Sequence, residues 1–425
     1  MKRVVVVGGG WAGCAAAYMA AKKGCNVNLL ERTDMLLGTG LVGGIMRNNG
    51  RYTATEESIM LGLGDLFKII DKQYLHHDID FPGHKHASLY NVAIIESVIK
   101  EALVKAGINL CMQIRVNHVD VENGDIKRVV GDNKESFEGD VYIDTTGTAG
   151  GINNCIKYGN GCAMCIMRCQ SFGNRVSLTS KAGIEEIVGL KGDGSVGAMS
   201  GSCKLLKESL APDLIEELNA NGLVVRALPD NQKNAEKLGS KACQQYALQE
   251  YAENIIILNT GHAKLMAPFY PLEQLRQITG MENARFEDPY AGGIGNSMRF
   301  FAMAPRDDTL KVQGLNNLFC AGEKAGLLVG HTEAIVTGSL AGLNAARLSS
   351  GLSPITIPDS LAIGTAIKMV RQEMRTVEGR CKKYTFSGSV LFERMKDLDL
   401  YTTDLNKIKT RVEKSGLQKS ISIDD

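Results

Sequence analysis

The first apolar run is four valines, Val4 to Val7, closed by three glycines. A short β-branched run of this kind, bounded by glycine, predicts a strand buried on both faces. WAGCAAAYMAAKKG then predicts a helix of small residues, and NVNLLE a second strand. Together they make one βαβ unit. Residues 91–106 (NVAIIESVIKEALVKA) carry helical periodicity, with Gly107 as the C-terminal stop. INLCMQIRVNHVDVENGDIKRVVG reads as strand, strand, a turn at Asn123–Gly124, and strand. DVYIDTTG predicts a further strand. Residues 203–280 look mostly helical (DLIEELNANG; KACQQYALQEYAENIIILNTG) and suggest a cap. LKVQGLNNLFCAGEKAG then predicts a strand, and GHTEAIVTGSLAGLNAAR a helix with small residues on one face. AIGTAIKMVRQEM is another helix, and the last dozen residues look frayed.

The glycines between the first strand and helix are Gly8, Gly10 and Gly13, at G-x-G-x-x-G spacing. Gly8 permits a tight turn, Gly10 lets backbone approach a pyrophosphate, and Gly13 lets helix and strand pack closely. Trp11 and Ala12 open the helix, whose N-terminus offers free N–H groups and partial positive charge to a diphosphate. Glu31 ends the second strand about 20 residues on, where a carboxylate accepts from a ribose hydroxyl. Arg32 follows it. The early start of the motif and this Glu-Arg pair favour FAD over a nicotinamide. MLLGTGLVGGIMRNNG, containing Gly38, is glycine-rich enough to lie against a flat ligand. A second G-x-G-x-x-G at 192–197 lacks a preceding strand and a following acid, and is rejected by the same criteria.

At 425 residues the chain has room for two or three domains. A net charge of +1 gives no electrostatic footprint for nucleic acid and leaves only a local patch open. Lys2 and Arg3 precede too short an apolar run for a signal peptide, and no apolar stretch approaches the ~18 residues of a membrane span. A cytoplasmic location is therefore expected, with thiols rather than disulfides among the 11 cysteines. HHDIDFPGHKH at 76–86 holds four of the seven histidines, but its spacing matches no familiar zinc pattern; a polar loop is expected and no metal site. CIKYGNGCAMCIMRCQ sets Cys155, Cys162, Cys165 and Cys169 within 15 residues. Three readings compete: an iron–sulfur ligand set, a redox pair at Cys162 and Cys165, and cysteines acting as small hydrophobes. The redox pair is favoured. Arg168, within this run, is a candidate for binding an anionic substrate or lying near a flavin.

The fold class expected is α/β: a Rossmann-like FAD-binding domain of the glutathione-reductase type, with an inserted α+β substrate domain and a C-terminal helical tail. The boundaries are 1–150 with 310–350 for a discontinuous nucleotide domain, 151–309 for the insertion and 351–425 for the tail. Val116, Thr146 and Gly147 join the expected cofactor contacts. So do Gly322 and Glu323 of the AGE segment, and His331 and Thr332 at the start of the later helix. That helix tip would face the pyrimidine edge of the flavin ring.

GMENARFEDPYAGG, FFAMAPRDDTLKVQGLNNLFCAGE, GHTEAIVTGSLAGLNAAR and IPDSLAIGTAI resemble the C-terminal half of the folate- and FAD-dependent tRNA uracil-5-methyltransferases. They also resemble the related glucose-inhibited division protein A family. The likeness covers roughly the first 35 residues and 280–370. It implies an FAD fold in which Gly8, Gly10, Gly13, Glu31, Gly322 and Glu323 hold the cofactor. The methyltransferases' Asn-Ser-Leu-Arg segment has no counterpart after the fingerprint. The leading expectation is thus an FAD-dependent oxidoreductase passing electrons between flavin and a small molecule or thiol. The alternatives are a flavin- and folate-dependent RNA uridine-modifying enzyme and a non-catalytic FAD-binding protein. A small-molecule substrate, a redox partner and a homo-oligomer are the expected associations.

Overall fold

The computed structural model describes residues 2–147, 168–196, 198–200, 202–233, 244–288 and 297–422. In chain order it begins with β1 (Arg3–Val7), α1 (Trp11–Lys22), β2 (Asn26–Glu31), β3 (Ile45–Met46), α2 (Gly50–Met60) and α3 (Asp65–Asp71). Next come β4 (Tyr74–Phe81), β5 (His84–Tyr90), α4 (Ile95–Lys105), β6 (Asn109–Met112), β7 (Val116–Glu122), β8 (Asp125–Gly131), β9 (Ser136–Glu138) and β10 (Val141–Asp144). The later part carries β11 (Cys203–Leu205), α5 (Pro212–Asn221), β12 (Leu223–Ala227), β13 (Asn254–Asn259), β14 (Ala263–Leu265), β15 (Leu318–Cys320) and α6 (His331–Ser349). It ends with α7 (Ala362–Glu373), α8 (Ser389–Asp397), α9 (Leu405–Ser415) and a short helix at Leu417–Ser422.

The central sheet is five-stranded and parallel, in the order β15-β10-β1-β2-β6. Val4, Val5 and Val6 of its middle strand are fully buried, as expected of a strand covered on both faces. β15 comes from residue 318 onward, so the sheet is completed by chain from beyond the insertion. α1 and α6 lie against each other at glycine: a Cβ on Gly338 would fall 2.2 Å from the Ala12 carbonyl oxygen, and one on Gly342 2.2 Å from that of Ala16. This approach is what the small-residue face of α6 permits. It brings the first turns of both helices to the same side of the sheet.

Three expectations are corrected. The described residues of 203–280 are not mostly helical; they carry an antiparallel sheet in the order β11-β14-β13-β12. The misleading stretch is QEYAENIIILN, where one helical turn (Glu250–Glu253) runs directly into β13. Alternate residues of β13 serve opposite cores: Ile255 and Ile257 pack with α5 through Leu214 and Leu218, while Ile256 and Leu258 pack with Phe81 and Leu89 of the β4–β5 hairpin. The 76–86 segment is that hairpin rather than a loop. Phe81 pairs with His84 across a turn at Pro82–Gly83. The tail is also more ordered than its composition suggests, since Ile421 is buried; residues 423–425 lie outside the described set. Among the described residues no helix is long and apolar enough to cross a membrane.

Candidate functional site

At the end of β1, Gly8 adopts φ +107° and any Cβ there would meet the Thr145 carbonyl oxygen at 2.5 Å. Gly13 sits so close to Gly8 that a Cβ would fall 1.8 Å from the Gly8 carbonyl oxygen. Gly10 is different. Nothing lies within 4 Å of where its Cβ would be, so this face of the turn opens into a cavity. Gly10 is also the N-cap of α1, has no side chain to cap the helix, and is followed by no acid in the first turn. Free N–H groups and partial positive charge therefore face open space, which fits a diphosphate.

On one side of this turn lies a pocket bordered by Glu31, Arg32, Gly38, Val116, Thr146 and Gly147. The Glu31 carboxylate accepts from the Gly9 N–H at 2.7 Å and the Thr33 N–H at 2.8 Å. Those two bonds fix its orientation and leave acceptor sites for a ribose hydroxyl. Arg32 donates to the Gly173 carbonyl at 2.5 Å. Arg168 borders this same pocket, ion-paired with Asp34 at 2.6 Å and lying 4.8 Å from the Phe172 ring centroid. The structure thus brings Arg168 to the Glu31 end. Cys155, Cys162 and Cys165 lie outside the described residues. Cys169 opens a one-turn helix beside Arg168 and borders neither pocket. Near the turn, burial pushes the Cys14 thiol well up and that of Cys320 up to about 12, so neither is a thiolate at neutral pH.

On the other side lies a larger cavity. It is bordered by Trp11 and Ala12 of α1, by the 39–45 loop, by Gly322 and Glu323, and by His331 at the start of α6. Glu323 borders both pockets, and so joins them. α6 is capped by Gly330 at φ +143°, again with no side-chain cap, so its N-terminus also faces the cavity. The His331 ring packs on Gly43, where a Cβ would sit 1.7 Å from its Cε1, and its Nδ1 is 3.4 Å from the Tyr90 hydroxyl. Thr332 does not border the cavity; its hydroxyl is turned onto the Met46 sulfur at 3.7 Å, leaving only its backbone at the helix tip.

Several bordering residues escaped sequence reasoning. Arg51 of α2 donates to the fully buried Glu333 carboxylate at 3.1 Å and to Thr385 Oγ1 at 3.1 Å. Glu333 also accepts from Thr385 Oγ1 at 2.6 Å and from the Phe386 N–H at 2.9 Å. Lys264 of β14 and the neighbouring Ser202, Gln245, Tyr246 and Met266 close the cavity from the side of the antiparallel sheet. Lys264 alone carried a signal: a lysine inside the apolar alternation HAKLMA. Among the described residues no group of His, Cys, Asp or Glu side chains is placed to hold a metal ion.

Compared with known proteins, residues 3–217 and 236–353 match the family "Glucose inhibited division protein A". The chain belongs to this family. Among solved structures, GidA of Aquifex aeolicus in its form II crystal superposes with a TM-score of 0.62 at 16% identity, covering 97% of this chain and 76% of that one. The form I crystal gives 0.59 at 15% identity, covering 97% and 78%. These two likenesses concern the fold. A methylenetetrahydrofolate–tRNA-(uracil-5-)-methyltransferase TrmFO from Picosynechococcus sp. is 34% identical over 96 residues, 22% of this chain and 20% of that protein. The corresponding Thermus thermophilus protein is 33% identical over 97 residues, again 22% and 20%. The matched stretch thus spans about a fifth of these relatives' length. The cofactor of this GidA-family chain is FAD. The open cradle at Gly10, the two uncapped helix tips and the Glu31 pocket fit it.

Proposed function

We propose that this GidA-family chain is an FAD-dependent enzyme that modifies a uridine base in RNA, with a folate as one-carbon donor. The observation that carries this is the family match over residues 3–217 and 236–353, joined to relatives named for methylation of uracil in tRNA. It displaces the oxidoreductase acting on a small molecule or thiol as the leading reading. Gly10 and the tip of α1 would hold the diphosphate, Glu31 a ribose, and the tip of α6 the polar edge of the ring system. When bound, FAD supplies two-electron transfer to and from the adjoining substrate.

The chain's own groups have separable tasks. Trp11 and Tyr90, edge to face at 6.2 Å, keep His331 against Gly43 and exclude water from that wall. Arg51, neutralised by Glu333, fixes the first turn of α6 without adding net charge. Ser202, Gln245 and Tyr246 present hydroxyl and amide groups at a distance from the nucleotide turn, suited to the hydrogen-bonding edge of a planar base. With a formal charge of +1 overall, RNA would be held through local contacts rather than a broad basic field.

The test is direct. The purified protein is assayed for bound flavin, then incubated with unmodified tRNA, methylenetetrahydrofolate and a reduced nicotinamide, and the nucleosides are resolved by mass spectrometry. A new methylated uridine is expected. Flavin turnover with a dithiol, and no change in any tRNA, would overturn the proposal in favour of the small-molecule oxidoreductase.

A further inference from the structure

β14 alternates. Ala263 and Leu265 point into the core beneath α5, while Lys264 and the following Met266 point the other way, into the cavity. Lys264 is 7% exposed, and its amine donates to the Val42 carbonyl and, at 2.6 Å, to the Gly43 carbonyl. Gly43 is the residue against which the His331 ring packs. The residue directly opposite Lys264 on β11 is Lys204, so the two lysines share a face of the sheet. Among the described residues Lys264 makes no ion pair. The other cation of the cavity, Arg51, already has Glu333.

A buried ammonium beside a like charge is unfavourable unless something compensates it. Two carbonyl dipoles satisfy hydrogen bonds but do not neutralise a charge. Burial and Lys204 together lower the Lys264 pKa to about 7, which is the same penalty seen as proton affinity. While the amine keeps its proton, the compensating negative charge is left to what the cavity holds. Reduced flavin is an anion near neutrality, its charge spread over the pyrimidine edge, whereas oxidised flavin is neutral there.

We propose that Lys264 is a charge-compensating positioning residue. Its ammonium, latched to the Val42 and Gly43 carbonyls, makes the cavity bind reduced FAD more tightly than oxidised FAD. This rests on the reading that the flavin ring occupies the cavity between α1 and α6. It assigns to the inserted sheet a part in setting the cofactor's reduction potential, beyond enclosing a substrate.

The experiment compares wild type, Lys264→Met and Lys264→Gln. Each protein is stripped of flavin, then titrated with oxidised FAD in air and with dithionite-reduced FAD under anaerobic conditions. The ratio of the two dissociation constants is the readout, and circular dichroism checks the fold. Both variants are expected to lose about tenfold more affinity for the reduced form than for the oxidised form, as for removal of one unit charge from a poorly solvated wall. Equal losses for both forms, including loss of all binding, would show a structural latch only and overturn the inference. Wild type that binds neither form would instead remove the FAD reading itself.

Discussion

Substituting Gly338 by alanine tests whether the approach of α1 to α6 builds the site. The new methyl carbon would lie 2.2 Å from the Ala12 carbonyl oxygen and 3.0 Å from its carbonyl carbon and Cα. Ordinary contact begins at 3.4 Å, so the helices must separate by about 1 Å in an interior packed like a molecular crystal. Overpacking of this kind costs about 1–3 kcal/mol, and the upper end applies because the obstacle is backbone and cannot rotate away. Alanine's better helix propensity returns about 1 kcal/mol. The net expectation is a loss of about 2 kcal/mol. The assay is urea unfolding of the flavin-free protein, followed by FAD titration. The variant should also bind FAD more weakly, since the tip of α6 moves with the helix. A Gly338→Ala protein as stable as wild type, with unchanged FAD affinity, would refute the packing argument.

Gly10→Ala should do the reverse. Its φ of −68° suits alanine and the site is open, so stability without flavin should change by less than about 0.5 kcal/mol while FAD affinity falls at least about tenfold, measured by fluorescence titration. Arg51→Met leaves Glu333 buried without its cation and should cost about 3–5 kcal/mol in denaturant unfolding. Adding Glu333→Gln should recover part of that loss. Glu57 caps α7 through the Ala362 and Ile363 N–H groups and meets Arg411 at 3.1 Å, yet burial raises its pKa to about 7. Between its ordinary value near 4.5 and 7 the folded state keeps a proton that the unfolded chain has released. Stability should therefore fall as pH rises through that window, and Glu57→Gln should flatten the dependence in thermal melts at pH 5 to 8.

The parts of the candidate site that were legible in the sequence are those whose geometry is local. Gly8, Gly10, Gly13 and Glu31 declare themselves because turn, helix and strand must follow one another at fixed spacing. The AGE segment and the helix from His331 stand out for the same reason. Arg51 and Lys264 could not be found this way: each acts only because a distant element, α6 for one and the 38–43 loop for the other, is brought against it. The β13 strand was hidden by its neighbour. A three-isoleucine run has no period of its own, and the polar turn before it extended a helical pattern. The β4–β5 hairpin was hidden by polarity, since His77, Asp78 and Asp80 face solvent along an edge that looked like a loop.

β15 belongs to the central parallel sheet yet is encoded after residue 317. During synthesis, then, some 320 residues must leave the ribosome before the edge of that sheet can be filled. The α6 tip follows later still. The nascent chain must pass through a stage in which β10 is unpaired on one side and the cofactor has nowhere complete to settle. With FAD placed as proposed, its loading is a late event in the life of each molecule, and a truncated product ending near residue 310 should emerge colourless however much riboflavin the cell contains.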